Sequence, residues 1–315
     1  MRTLSIALVL FGISCSSHFH GPAMVKQEGA VAKFARFKTG NDVHYGILEG
    51  DRLRVISGVP WEPYTKSDRL YPVADVKFLP PVESKKVLAL AGNYASHMDG
   101  KPLFKNPELF FKLPTCLVGH GDDVVIPKGT ADVHYEAELV LVIGKRAKNV
   151  TPEQAPAHLA GVTCGNDISA RDWQKGDVQW WRAKGCDTFG PIGPYLVTGL
   201  NPDALLLRMR VNGEEKQKEN TKDLLFKSAE IISFVSRHVT LEPGDVIFTG
   251  TPQKTTPIKP GDVMEVTLEG AGSVSNRCVE TKGIADPWWR DVYEQAAALP
   301  ENAADVLAAA GPLDG

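Results

Sequence analysis

His134-Tyr135-Glu136-Ala137-Glu138-Leu139-Val140-Leu141-Val142-Ile143 opens on two acids and continues as an unbroken apolar run, and it reads as a strand over Glu136–Ile143. Successive side chains of a strand point to opposite faces, so Glu136 and Glu138 share one face while Ala137 and Leu139 share the other. At a rise of ~3.3 Å per residue the two acidic positions lie ~7 Å apart on a rigid element. Two like charges at the mouth of an apolar strand are costly unless something positive sits between them. A hard divalent cation is a common solution, and a solvated strand face paired with Lys or Arg is the alternative.

On either side of this strand the chain repeats the same kind of element. Strand-like runs recur at Val87–Ala91, Leu109–Lys112, Val124–Ile126, Tyr195–Thr198, Leu205–Val211, Val246–Thr249 and Val263–Leu268. Turns are marked by Asn212-Gly213, Pro243-Gly244-Asp245 and Pro260-Gly261-Asp262. Helical patterns are few; the clearest are Pro152–Leu159, with Thr151 as N-cap, and Ser228–His238. The expectation is an α+β, mostly β domain, a barrel or rolled sandwich, and not a doubly wound nucleotide fold.

Ahead of this domain, FARF, HYGILEG and RLRVISG between Lys33 and Ser57 alternate apolar and polar residues, predicting a small β domain and linker over residues 31–80. The boundary falls near Pro80-Pro81, the main domain spans 85–283, and an alanine-rich, helix-prone tail occupies 284–315. Residues 1–23 combine Met1-Arg2, an apolar run from Leu4 to Ile13 and small residues around Cys15, the pattern of a secretory or lipoprotein leader. A start at Met24 is the alternative, giving a cytoplasmic protein rather than a periplasmic or lipid-anchored one. No stretch is long and apolar enough to span a membrane.

At 315 residues the chain can bury a substantial core, and 35 basic against 38 acidic residues leave a net charge of −3 with both signs scattered. That balance offers no footprint for nucleic acid. Five cysteines, far apart and without a CxxC pair, suggest neither a disulfide framework nor a zinc knuckle. Cys164 and Cys186 read as small buried hydrophobes.

A third acid, Asp167, stands where Gly165-Asn166-Asp167-Ile168-Ser169 leaves a strand and enters a turn. Three carboxylates favour Mg²⁺, Mn²⁺ or Ca²⁺ over zinc and leave coordination positions open for substrate oxygens. Taken together, GNYASH (92–97), YEAEL (135–139), NDISARD (166–172), WRAKGCDTFGPIGP (181–194) and LEPGDVIFTGTP (241–252) resemble the fumarylacetoacetate hydrolase family, motif by motif and in order, from about Val87 to Val279. Among its members the chain is especially similar to bacterial 2-hydroxyhepta-2,4-diene-1,7-dioate isomerases and hydrolases.

The resemblance implies a mixed β roll, often dimeric, with Glu136, Glu138 and Asp167 as metal ligands. Lys184 matches the active-site lysine. His97 matches a general base on a lid, although the glutamate expected three residues later is Gly100 here; Asp99 or Glu108 are candidate substitutes. Lys112, Arg171 and Gln174 match pocket positions, and Thr249-Gly250-Thr251 matches a substrate-binding turn. That turn continues as Gln253-Lys254-Thr255-Thr256 instead of a glycine-rich stretch, which should alter the pocket rim. The expected activity is divalent-metal chemistry on a small oxo-acid or 2-hydroxy-dienoate through an enolate, as in C–C hydrolysis of an acylpyruvate. The alternatives are isomerisation of a hydroxydienedioate or decarboxylation of an oxaloacetate-like acid, and a non-catalytic ligand-binding relative.

Overall fold

The order in which strands lie beside one another, rather than their order in the chain, brings the acids together. A computed structural model describes residues 30–281. Its main strands are β1 (Ala32–Thr39), β2 (Asp42–Glu49), β3 (Arg52–Ile56), β4 (Lys66–Pro72), β5 (Val87–Ala91), β6 (Glu108–Lys112), β7 (Val124–Ile126), β8 (Ala137–Ile143), β9 (Leu159–Asn166), β10 (Gly190–Thr198), β11 (Leu206–Val211), β12 (Glu214–Asn220), β13 (Val246–Phe248), β14 (Val263–Leu268) and β15 (Gly272–Glu280). The helices are α1 (Ala95–Met98), α2 (Arg171–Gly176), α3 (Trp181–Gly185) and α4 (Ser228–His238).

A large mixed sheet runs β4-β3-β2-β1-β10-β9-β8-β13-β5-β6, and a second runs β12-β11-β14-β15-β7. The fold is mostly β, as expected, built as open rolled sheets rather than a closed barrel. The amino-terminal hairpins continue into the large sheet, because β1 pairs antiparallel with β10 from Ala32–Thr198 to Phe34–Leu196.

All seven residues of β8 are buried, which is what an apolar run covered on both faces requires. Each such large aliphatic side chain contributes about 1.5–3 kcal/mol relative to exposure. β8 is flanked by β9, in register from Ala137–Asn166 through Glu138–Gly165, and by β13, with Val140 opposite Phe248. β13 pairs parallel with β5, Phe248 opposite Ala89. The ends of these four central strands therefore deliver the stretches 92–97, 135–138, 166–169 and 249–252 to one edge of the sheet.

Two elements differ from expectation. Pro152–Leu159 is not an α-helix; only a 3₁₀ turn forms, over Ala155–His158. Pro156 has no N–H and obstructs the carbonyl one turn back, so a helical ladder cannot propagate through it. Beyond the strands expected between Lys33 and Ser57, the amino-terminal region also contains β4 and a short strand, Lys77–Phe78, that pairs with β1. β12, with the sequence EEKQKEN, escapes hydrophobic patterning because it is an edge strand that buries only Gln217. The expected leader, residues 1–23, and the helical tail, 284–315, lie outside the described residues.

Candidate metal centre and active site

Glu136 and Asp167 are tied to each other before their carboxylates are considered. Asp167 N–H donates to the Glu136 carbonyl at 2.9 Å, and Glu136 N–H donates to Asn166 Oδ1 at 2.8 Å. Glu138, the second residue of β8, lies opposite Gly165 in the same register. Ligand atoms of the three carboxylates lie within 4.8 Å of one another, and all three residues are buried.

Three cations face this trio. Lys184 Nζ, carried by α3, donates to Glu136 Oε2 at 2.6 Å and Asp167 Oδ2 at 2.7 Å. Lys112 Nζ donates to Asp167 Oδ1 at 2.6 Å, to the Phe189 carbonyl at 3.1 Å and to the Lys184 carbonyl. Arg171, at the start of α2, holds Glu136 Oε1 and donates to Gln174 Oε1 at 2.8 Å and Thr255 Oγ1 at 3.0 Å.

Charge is distributed unevenly. Burial pushes Glu136 upward, but Arg171 and Lys184 outweigh it and hold this carboxyl well below the usual carboxylate range. Glu138 has no such partner: burial, then the charges of Asp167 and Glu136, drive its carboxyl well above that range. Its Oε2 accepts the Gly250 N–H at 2.7 Å, while its Oε1 is buried without any hydrogen-bond partner. A buried, unpaired carboxylate oxygen among two further acids is costly. All-oxygen donors at this spacing fit a hard divalent cation, which would be held by Glu136, Glu138 and Asp167.

Glu136 borders a cavity of about 50 Å³, walled further by His97, Arg171, Gln174, Lys184 and Thr251 together with the aromatic pair Phe110 and Trp180. Those rings meet edge to face at 5.4 Å, and Lys184 Nζ lies 5.0 Å from the Phe110 ring centre. A larger groove of about 570 Å³ runs along residues 126–131 and 258–260, away from these groups. The convergence of charged and polar groups, not volume, marks the smaller cavity as the candidate site.

Other predicted residues take different places. Lys112 is buried, with its ammonium on the Asp167 carboxylate. The Thr249 hydroxyl donates to the Leu139 carbonyl at 2.9 Å, and the Gly250 N–H donates to Glu138, so the 249–250 turn holds the Glu138 end of β8. His97 Nε2 lies 3.9 Å from Glu136 Oε1, but Asp99 pairs with Lys254 at 3.0 Å, and the His97 Nδ1 faces the Gln253 carbonyl.

Several supporting residues had no separate signal in the sequence. Asn93 donates to the Thr249 carbonyl at 2.8 Å and accepts the Phe226 N–H at 2.8 Å, locking the 92–97 stretch to the turn. Gln217, the one buried residue of β12, accepts the Ala137 N–H at 3.0 Å and donates to Thr251 Oγ1 at 2.9 Å. Asn93 lies inside a recognisable motif; Gln217 lies in a run of charges.

Residues 86–279 match the family described as fumarylacetoacetate (FAA) hydrolase C-terminal, and residues 32–81 match Rv2993c-like, N-terminal. The chain is 41% identical over 223 residues to the mitochondrial oxaloacetate tautomerase FAHD2A of Bos taurus, covering 66% of this chain and 71% of the relative. It resembles the crystal structure of 2-hydroxyhepta-2,4-diene-1,7-dioate isomerase from Mycobacterium marinum, with a TM-score of 0.75 and 37% identity over 80% of this chain and all of that one. Maleylpyruvate hydrolase from Sphingobium sp. SYK-6, solved with manganese (II) and pyruvate, gives a TM-score of 0.67 and 28% identity over 79% of this chain and all of that one. The family match over residues 86–279 takes in more than half of the chain, and the chain belongs to the fumarylacetoacetate hydrolase family.

Proposed function

We propose that this chain is a divalent-cation-dependent enzyme that forms and discharges the enolate of a small oxo-acid, with keto–enol or double-bond isomerisation as the net reaction. The observation that carries the cation is Glu138: a fully buried carboxyl, one oxygen unpartnered, within reach of two more acids. Bound there, a hard cation supplies Lewis-acid polarisation of the substrate's oxygens. Manganese and pyruvate in the Sphingobium relative support a small oxo-acid as ligand.

The chain's own residues divide the remaining work. Lys184 directs its ammonium at the cavity edge, where negative charge on an enolate oxygen would develop. Arg171 and Gln174, braced against each other, present planar donors suited to a substrate carboxylate. His97 offers Nε2 to take a proton from carbon and return it. Phe110 and Trp180 exclude water from that exchange.

Isomerisation is favoured over C–C hydrolysis because activating water calls for a strong base, and the Nδ1 of His97 meets a backbone carbonyl rather than a carboxylate that would raise its basicity. The Bos taurus tautomerase and the Mycobacterium marinum isomerase support the same choice. The test is a panel of oxaloacetate tautomerisation, hydroxydienedioate isomerisation and acylpyruvate hydrolysis, run with Mg²⁺ or Mn²⁺ and with chelator. Glu138→Gln should lose at least about 10²-fold in rate, and the protein's thermal stabilisation by Mn²⁺ should disappear with it. Full turnover in chelator would refute the metal reading, and hydrolysis of the acylpyruvate alone would refute the choice of reaction.

A further inference from the structure

His97, on the wall of the cavity, meets the segment 253–256 through Gln253. His97 sits on α1, a single turn of four residues that cannot hold a side chain rigidly by itself. Its Nδ1 lies in hydrogen-bonding contact with the Gln253 carbonyl, an atom that can only accept. In the neutral ring the proton therefore belongs on Nδ1, which leaves the lone pair on Nε2, the nitrogen facing Glu136 and the cavity.

Gln253 is itself clamped. It adopts a left-handed backbone at φ 54°, unusual for a residue with a side chain. Its side chain pairs with the backbone of Lys218 on β12 in both directions: Oε1 accepts the Lys218 N–H at 3.0 Å, and Nε2 donates to the Lys218 carbonyl at 3.2 Å. Its N–H donates to Ser96 Oγ at 3.1 Å, and that hydroxyl donates to Glu219 Oε2 at 2.6 Å. One edge strand thus grips both the carbonyl that meets the imidazole and the serine beside it. Thr255 extends the same rim to Arg171 at 3.0 Å.

We infer that Gln253 is a positioning residue: held by Lys218 and Ser96, its carbonyl fixes the His97 tautomer so that Nε2 is the proton acceptor presented to substrate. Only the kinetic part of this inference rests on the proposed enolate chemistry. The tautomer is a property of the protein without substrate.

Long-range ¹H–¹⁵N spectra of histidine-labelled full-length protein at mildly alkaline pH read it directly, with the His97 resonances assigned by their loss in His97→Asn. Wild type should show His97 protonated at Nδ1. Gln253→Gly retains the left-handed backbone but removes the grip on Lys218; it should give a mixture of tautomers. Its kcat should fall about tenfold, a share of the ~10²–10⁴ that acid–base catalysis supplies, with KM within about twofold. Ser96→Ala, a milder change, should move both readouts in the same direction. Thermal melts of each variant separate misfolding from misplacement. A wild-type His97 protonated at Nε2, or a folded Gln253→Gly variant with unchanged tautomer and kcat, would overturn the inference. A wild type that shows the Nδ1 tautomer but turns over none of the oxo-acids would overturn the proposed reaction and leave the positioning role standing.

Discussion

At the scale of single residues, Glu136 and Glu138 show how identical side chains two positions apart acquire opposite electrostatics. Glu136 is ringed by Arg171 and Lys184, whereas Glu138 has burial and two neighbouring acids against it. Linkage then gives the two acids opposite effects on stability. Unfolded, both titrate near the ordinary value of 4.5. Folded Glu138 keeps its proton above that pH, so the native state binds more protons than the unfolded chain and its stability falls as pH rises from about 4.5. Folded Glu136 stays ionised below that value, so its contribution is present above about 4.5 and is lost as pH falls. Glu138→Gln should therefore flatten the alkaline decline in urea-melt stability measured with chelator present, leaving the acid limb intact. Parallel pH curves for variant and wild type would show that Glu138 is not held neutral. The same residue-level reading separates Lys112 from Lys184: one ammonium is saturated by three acceptors beneath the trio, the other borders the cavity.

At the scale of elements, the site is a set of strand ends, and its precision depends on backbones that approach closely. The turn after β13 places Gly250 at φ 99°, and a Cβ there would lie 2.8 Å from the Asn93 Cβ. Gly250→Ala should cost about 1–3 kcal/mol from the strained backbone and should displace the N–H that holds Glu138. Chemical denaturation together with a Mn²⁺ titration checks both: stability and cation affinity should fall together. Unchanged affinity in a destabilised variant would mean that the Gly250 N–H does not position the ligand. Elements also mark where sequence reading succeeds and fails. β8 and α4 were legible because burial on both faces and an amphipathic helix each leave a pattern. The stretch 152–159 carried helix-like cues but contained Pro156, and β12 carried none, since a solvent-facing edge strand need not be apolar.

At the scale of the whole molecule, a sheet that runs from the amino-terminal hairpins through β10 and β9 to β8 places the most buried strands in the middle and the site at their ends. No helix among the described residues is long and apolar enough to cross a membrane. Native-state hydrogen exchange followed by mass spectrometry should be slowest in β8, β9 and β13, and fastest in the edge strands β4, β6 and β12. Mn²⁺ should slow exchange at 249–252 and 166–169, which hold or flank the acids; protection elsewhere but not there would place the cation at a different site. The sequence alone singled out Glu136, Glu138 and Asp167 by type and spacing along the chain, and Lys184 and the family by the resemblance that its motifs carry. The tertiary structure decided what spacing cannot express: that Gly250 serves Glu138, that Lys112 lies under the site, and that a carbonyl from Gln253 meets His97. These are contacts between segments far apart in the chain, and strand register and burial, properties of the assembled sheet, fix which of them form.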